Sequence, residues 1–371
     1  MKSQAKQTIF KVQPYIPGRP IEDVKRELGL KDVVKLASNE NPYPSSPKVI
    51  KAISVAAKSI NRYPDGGCYA LRQELAKQLK VKPEQLIFGN GSDEVIVMAV
   101  RAFVSPGDEV VLAKPSFLVY EIASCIEGAT LKAIPLLPDF KYDLKAMKAA
   151  VTDKTKIIFL GNPDNPSGQY LTKDELTWFL DGLRKDILIF IDEAYYEYVN
   201  AKDYPDTLQL LKTYPNIFVA RTFSKMYGLA GLRVGYGIGA SELVDIIGRV
   251  REPFNINSIA QEAALACLKD KAYYKSIALK INQQRKYLYS NLSAMGLEFV
   301  KSYTNFVLIK VAQGGKAVSQ ALLKKGVIVR DMSVWGKTEY FRLSIGAFDL
   351  HIFRHIERVA FKNCSPDLSR L

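Results

Sequence analysis

Lys225 stands in a setting that a solvent-facing lysine does not need. It follows Ser224 directly, lies within Ser224-Lys225-Met226-Tyr227-Gly228-Leu229-Ala230-Gly231-Leu232-Arg233, and precedes Arg233 by eight residues. A lysine amine becomes a nucleophile toward a carbonyl once it loses its proton. A hydroxyl and a guanidinium beside it suit a phosphate. Together they describe a lysine that carries a Schiff base to a phosphate-bearing cofactor. A surface lysine ahead of a glycine-rich turn is the plainer alternative, and the stretch alone does not separate the two.

Three further segments carry matching chemistry. In Ile187-Leu188-Ile189-Phe190-Ile191-Asp192-Glu193-Ala194-Tyr195, five apolar residues predict a buried strand of a parallel sheet. Asp192 then falls at the strand's C-terminal end, where open α/β sheets bind ligands. A carboxylate there can hold a pyridine nitrogen protonated and make the ring an electron sink. Tyr195 is placed to reach the phenolic oxygen of the same ligand. A turn cap is the alternative for Asp192. In Asn162-Pro163-Asp164-Asn165-Pro166-Ser167-Gly168, after the strand Lys156–Leu160, the prolines stiffen the loop and aim the Asn165 amide. Gly89-Asn90-Gly91-Ser92-Asp93-Glu94 joins a strand to a helix start, so the free amides at Ser92 and Asp93 form an anion site. A dinucleotide fingerprint would need a third glycine where Glu94 stands.

The elements that must hold these groups alternate. The pattern predicts helices over 47–60, 68–79, 92–104 and 117–127, and strands over 86–88, 109–113, 130–134, 156–160, 187–191, 217–221 and 232–238. Alternation of this kind makes a mostly parallel sheet with helices on both faces. Residues 255–293 have a helical pattern. Strands near 306–310, 327–330 and 340–345, with helices between and after, predict a second, smaller α/β domain.

Composition narrows the class. The 371 residues are 48% hydrophobic and 24% charged, an ordinary globular balance with ample core. No stretch approaches the ~18 apolar residues of a membrane span, and the start carries no apolar signal region, so the expected location is the cytoplasm. Cys68, Cys125, Cys267 and Cys364 are far apart and are expected to be reduced. His351 and His355, the two histidines, share a helix face at i, i+4. The remaining parts of a zinc-protease pattern are missing, so no metal is expected. A net charge of +14 raises a nucleic-acid partner, but the basic residues are scattered and form no stripe, so none is expected.

Together the four segments resemble the fold-type I pyridoxal-phosphate aminotransferases, and within them the histidinol-phosphate aminotransferase group. Lys35-Leu36-Ala37-Ser38-Asn39-Glu40-Asn41-Pro42, Arg62-Tyr63-Pro64-Asp65-Gly66, Arg221-Thr222-Phe223-Ser224-Lys225 and Val250-Arg251-Glu252-Pro253-Phe254-Asn255-Ile256-Asn257 extend the likeness from about Pro14 to about Arg342. It implies pyridoxal 5'-phosphate as cofactor and amino transfer between histidinol phosphate and 2-oxoglutarate. It implies an arm over 1–40 packed with the small domain, a large cofactor domain over 41–260 and a small domain over 261–371. Lys225 would form the Schiff base, Asp192 pair with the ring nitrogen, and Asn165 and Tyr195 bind the ring oxygen. Ser92, Asp93, Ser224 and Arg233 would hold the phosphate. Phe117 would stack on the ring, where relatives often carry Tyr. Asp164 and Ser167 replace the commoner Asn and Thr and are expected to be peripheral. Tyr63 would reach the phosphate of the partner subunit in a homodimer.

Arg342 matches the arginine that binds the substrate carboxylate across the superfamily. In histidinol phosphate the phosphate would take that end, with Arg330 as a second clamp and Tyr15 and Asn39 closing over it. For Arg330 an ion pair with the adjacent Asp331 competes. An aromatic or broad-specificity aminotransferase, or a phosphothreonine decarboxylase, would share these motifs. A nucleotide-dependent dehydrogenase rests on Gly89–Ser92 alone, and a non-catalytic regulator lacks any extension to bind DNA. The residues that read an imidazole are not legible.

Overall fold

In the computed structural model, residues 4–346 and 355–359 are described. His351 and Cys364, and with them the i, i+4 histidine pair, lie outside these residues.

Thirteen strands are formed among the described residues, and seven of them build the main sheet. In spatial order these are β2 (Leu86–Gly89), β8 (Gly235–Gly239), β7 (Ile217–Thr222), β6 (Leu188–Asp192), β5 (Thr155–Gly161), β3 (Glu109–Lys114) and β4 (Thr130–Pro135). β8 runs antiparallel to both its neighbours, and the other pairings are parallel. β6 and β7 are buried along their whole length, and β5 everywhere but at the half-buried Lys156, as expected when helices cover both faces of the sheet. One face packs in a cluster with Leu160, Ile189 and Val219, the other with Phe159, Phe190 and Phe218.

A second unit holds β12 (Arg330–Asp331), β13 (Tyr340–Ser344), β10 (Phe306–Lys310) and β9 (Phe299–Val300) as an antiparallel sheet in that order. β1 (Val34–Lys35) pairs in parallel with β11 (Val327–Ile328), which joins the N-terminal arm to this unit. Residues Gln7–Lys11 lie instead against the helix Leu118–Ile126, where Thr8 Oγ1 donates to the Ile126 carbonyl at 3.1 Å.

Local chemistry sets the helix starts. Ser46 caps Pro47–Ala56 by accepting from the Val49 amide, with Pro47 in the first turn. Thr172 and Glu175 form a reciprocal capping box on Lys173–Asp181. Three expectations need correction. The helical stretch over 255–293 is two helices, Ser258–Leu268 and Lys271–Ala294, because Asp270 leaves helical geometry. The strand expected from Leu232 begins at Gly235, because Ala230–Leu232 is a tight turn and Arg233 adopts φ 54°. The strand over 327–330 is split, because its halves pair with different partners: Val327–Ile328 with the arm, Arg330–Asp331 with β13.

Candidate active site

The C-terminal ends of β5, β6 and β7 open on a cavity of about 340 Å³. Lys225, Asp192, Tyr195, Ser92, Asp93, Phe117, Asn165, Ser224, Arg233, Tyr15, Asn39, Arg330 and Arg342 all line it. Tyr63 does not. It is 83% exposed and stacks on Phe254, with ring centroids 4.8 Å apart.

Asp192 ends β6 and is 6% exposed. Its Oδ2 accepts from the Tyr120 hydroxyl at 2.7 Å and its Oδ1 from the Ala194 amide at 3.0 Å. Burial raises its carboxyl to about 6, and the two hydrogen bonds only partly oppose that. A cation at contact distance would reverse the shift, so the carboxylate suits a protonated ring nitrogen. Tyr120 escaped the sequence reading. It sits three residues after Phe117, on the same helix face, and its ring stacks on Phe159 at 4.6 Å. That i, i+3 spacing was the available signal.

At the opposite end of the cavity, the helix Ser92–Phe103 starts after Gly91, which takes φ 80° and offers no side-chain cap. The first-turn amides are left free for an anion. A Cβ on Gly91 would run into the Arg233 guanidinium, and one on Gly235 into the Ser92 amide. Glycine at these two places lets the backbone and Arg233 close to a cradle. Arg233 Nη2 donates to Asp93 Oδ2 at 3.1 Å, and Nη1 approaches Ser224 Oγ at 3.5 Å. Thr222, also lining the cavity, fixes Ser224 by accepting from its amide at 3.1 Å. Glu94 accepts from the Asn90 amide and from Asn255 Nδ2, so this loop closes on itself where a third glycine would admit a dinucleotide.

Between the two ends lies Lys225. Its Nζ donates to the Ser38 carbonyl at 3.4 Å and lies 5.7 Å from the centre of the Tyr195 ring. Burial, and then the positive charge of Arg342, bring its ammonium down to about 8. The amine is therefore neutral far more often than on a surface lysine.

The remaining wall comes from the arm and the small unit. Asn39 is 1% exposed, takes φ 55° and is bonded at every polar group. Its amide donates to Ser344 Oγ at 2.8 Å and its carbonyl accepts from Asn305 Nδ2 at 2.9 Å. Its Oδ1 accepts from Ser344 Oγ at 3.1 Å, and its Nδ2 donates to the Tyr195 hydroxyl at 3.0 Å. Asn39 thus lines the cavity beside Ser38 and Glu40 with its polar groups already engaged within the protein. Asn165 Nδ2 approaches the same hydroxyl at 3.4 Å, and Asn165 Oδ1 accepts from Arg342 Nη1.

Arg342 is 6% exposed. Its Nη2 donates to the Ala37 carbonyl at 3.2 Å, and its Nε has no partner. Burial lowers it to about 10. A buried guanidinium that lines a cavity is a ready anion site. Arg330 lies on the paired strand opposite Arg342. Its Nη2 donates to the Ile16 carbonyl at 2.9 Å, and its guanidinium lies 5.1 Å from the Trp335 ring centre. Asp331 accepts instead from the Ser333 amide and hydroxyl at 3.0 and 2.8 Å. Asp164 and Ser167, expected to be peripheral, are buried and brace the Asn165 loop. Asp164 accepts from Tyr142 at 2.8 Å and from Ser167 Oγ at 2.7 Å.

Residues 31–350 match the family of class I and II aminotransferases. The chain is 43% identical over 344 residues to the histidinol-phosphate aminotransferase of Moorella thermoacetica, covering 92% of this chain and 89% of that protein. To the enzyme of the same name from Shouchella clausii it is 47% identical over 342 residues, covering 92% and 93%. Among solved structures, the histidinol-phosphate aminotransferase of Sinorhizobium meliloti, in complex with pyridoxal-5'-phosphate, superposes with a TM-score of 0.85 at 27% identity, covering 95% of this chain and 96% of that one. The aspartate aminotransferase of Thermus thermophilus with maleate shares the fold, with a TM-score of 0.82 at 22% identity over 96% and 98% of the two chains. With residues 31–350 matched to that family and relatives 43–47% identical over about nine-tenths of the chain, the chain belongs to the class I and II aminotransferase family, with the fold-type I architecture.

Proposed function

We propose that this protein transfers an amino group between histidinol phosphate and 2-oxoglutarate, a step of histidine biosynthesis, with pyridoxal 5'-phosphate as cofactor. The relatives at 43% and 47% identity support the substrate. The observation that carries it is Arg342, a buried cation lining the cavity, with Arg330 opposite it on the paired strand. Pyridoxal phosphate, when bound, supplies a carbonyl that bonds covalently to amines and a ring that accepts electron density. The cavity suits it: free helix amides and Arg233 for a dianion, a buried carboxylate for a ring nitrogen, and an amine between them. Lys225 would hold the cofactor's carbonyl and would carry the proton to and from the substrate Cα. Asp192 keeps the ring nitrogen protonated, with Tyr120 fixing its orientation. Asn165 and Tyr195 donate to the ring oxygen. The Ser92 and Asp93 amides, Ser224 and Arg233 would hold the phosphate, and Phe117 would cover the ring. Arg342 and Arg330 bind the anionic end of the substrate, with Tyr15 beside them.

Comparing histidinol phosphate with histidinol tests the substrate. Losing a charge-assisted hydrogen bond costs about 1.5–3 kcal/mol, and ~1.4 kcal/mol is a factor of ten. Wild-type kcat/KM should therefore fall at least ~10-fold for histidinol. Arg342→Leu should erase most of that difference and Arg330→Leu part of it. Equal use of both compounds, with a preference for aromatic amino acids, would overturn the substrate assignment.

The same reading includes a homodimer in which Tyr63 serves the partner's site. Tyr63 is exposed and stacks on the exposed Phe254, and Ile60 and Tyr69, close to it in sequence, are exposed too, which supports a second copy at this place. Mixing Lys225→Ala subunits with subunits carrying an inactivating Tyr63 substitution should restore activity, because one site of each hybrid then holds both intact residues. A monomer by light scattering, or verified hybrids without activity, would refute it. No described helix is long and apolar enough to cross a membrane, and we place the enzyme in the cytoplasm.

A further inference from the structure

Glu193 follows Asp192 and Arg221 precedes Thr222, yet neither lines the cavity that Asp192 and Thr222 share. Alternation along the strands turns them away from it. There they form an ion pair whose side chains are 7% and 1% exposed. Arg221 Nε and Nη2 both donate to Glu193 Oε2, at 2.8 and 2.7 Å. Glu193 Oε1 accepts from Thr207 Oγ1 at 2.9 Å and lies 3.4 Å from the Tyr204 hydroxyl, which donates to the Asn162 carbonyl. The guanidinium lies 3.8 Å from the centre of the Tyr196 ring. Glu197, also near Arg221, has its carboxyl pushed up to about 8 by burial, which leaves Glu193 as the counter-ion. Two backbone bonds complete the lattice, Asn162 N to Asp192 O and Glu193 N to Ala220 O, both at 2.8 Å.

The network joins the ends of three adjacent strands. Asn162 precedes Asn165 by three residues, Glu193 adjoins Asp192, and Arg221 precedes Lys225 by four. A buried ion pair is a poor stability device, since apolar residues of similar volume often do as well or better. We propose that Arg221, Glu193 and Tyr204 are positioning residues that lock the ends of β5, β6 and β7 in one register, so that Asn165, Asp192 and Lys225 meet on a single ring. This rests on the roles given to those three residues above.

The test replaces the pair by apolar residues, Arg221→Met with Glu193→Leu, in the full enzyme with its cofactor. The melting temperature should hold or rise. Misplacement by an ångström can slow a reaction ~10²-fold, so kcat should fall by about that factor, with the KM of the amino donor changing less than ~3-fold. The affinity for pyridoxal phosphate, read by reconstituting the cofactor-free protein, should fall about tenfold. Tyr204→Phe removes only the hydroxyl that ties Asn162 to Glu193. Loosening Asn165 weakens its hydrogen bond to the ring oxygen, so the proton shared between that oxygen and Lys225 is held more tightly. The pH midpoint of the bound cofactor's visible absorbance should then rise by about half a unit or more. If the double variant does not fold, Tyr204→Phe decides alone. A folded double variant with near-normal kcat, or an unchanged midpoint in Tyr204→Phe, overturns the proposal. Should unaltered enzyme show no such absorbance, the fault lies with the underlying assignment and not with the network.

Discussion

Lys225→Ala should keep the fold and abolish transamination. The residue is asked both to bond the cofactor and to carry the proton at the substrate Cα. Proton transfer by a placed group contributes ~10²–10⁴-fold by itself, so the loss should be at least ~10⁴-fold. Lys225→Arg should be no better, because a guanidinium stays protonated. The amides at Ser92 and Asp93 and the Asp192 carboxylate stand on other elements, so the variant should still bind the cofactor without a covalent link. Borohydride reduction of wild type followed by peptide mapping should tag Lys225, and a tag on another lysine would refute the assignment. A second signature comes from proton linkage. The folded-state pKa is lowered from 10.5 to about 8, so the unfolded chain binds more protons between those values. Stability of the cofactor-free protein should then rise with pH through that window, relative to Lys225→Ala. Parallel pH–stability curves would show that Lys225 is not in a desolvated site.

Much of this site could be read before the structure, because its residues sit where local sequence announces them. Strand runs end in Asp192 and lead into Asn162–Gly168, and Gly91 marks a helix start without a side-chain cap. What escaped depends on contacts between distant elements. Tyr120 reaches Asp192 across 72 residues of sequence, and only packing brings them together. Asn39 has an extended-looking neighbourhood, but its φ of 55° is imposed by Ser344, Asn305 and Tyr195, all more than 150 residues away. Asp164 is buried through donors from Tyr142 and Ser167, and the first of these lies 22 residues away in sequence. The split of 327–330 and the pairing of the arm with β11 were hidden for the same reason. A two-residue strand carries almost no periodic signal, and its partner decides that it forms.

Asp192→Asn is expected to give the second-largest loss, at least ~10²-fold in kcat, with the protein folded and the cofactor still on Lys225. Without a cationic partner the buried carboxyl is raised to about 6, so its ionised form is disfavoured where it sits. A protonated ring nitrogen beside it would supply the missing charge, and each group would then keep the other ionised. Asparagine matches the carboxylate in shape, and its oxygen can still accept from the Ala194 amide, but it carries no charge to hold the ring proton. The variant should therefore separate geometry from electrostatics. Its cofactor-free form should be no less stable than wild type near neutral pH, because the substitution removes a buried charge. Its visible absorbance should still report a covalent cofactor, while the proton-transfer step at the substrate Cα becomes slow. Replacing the α-hydrogen of the amino donor by deuterium should then slow kcat more in Asp192→Asn than in wild type, as that step comes to limit turnover. Near-wild-type kcat in the folded variant would mean that Asp192 only anchors Tyr120 and Ala194, and the electron-sink role would pass to other groups.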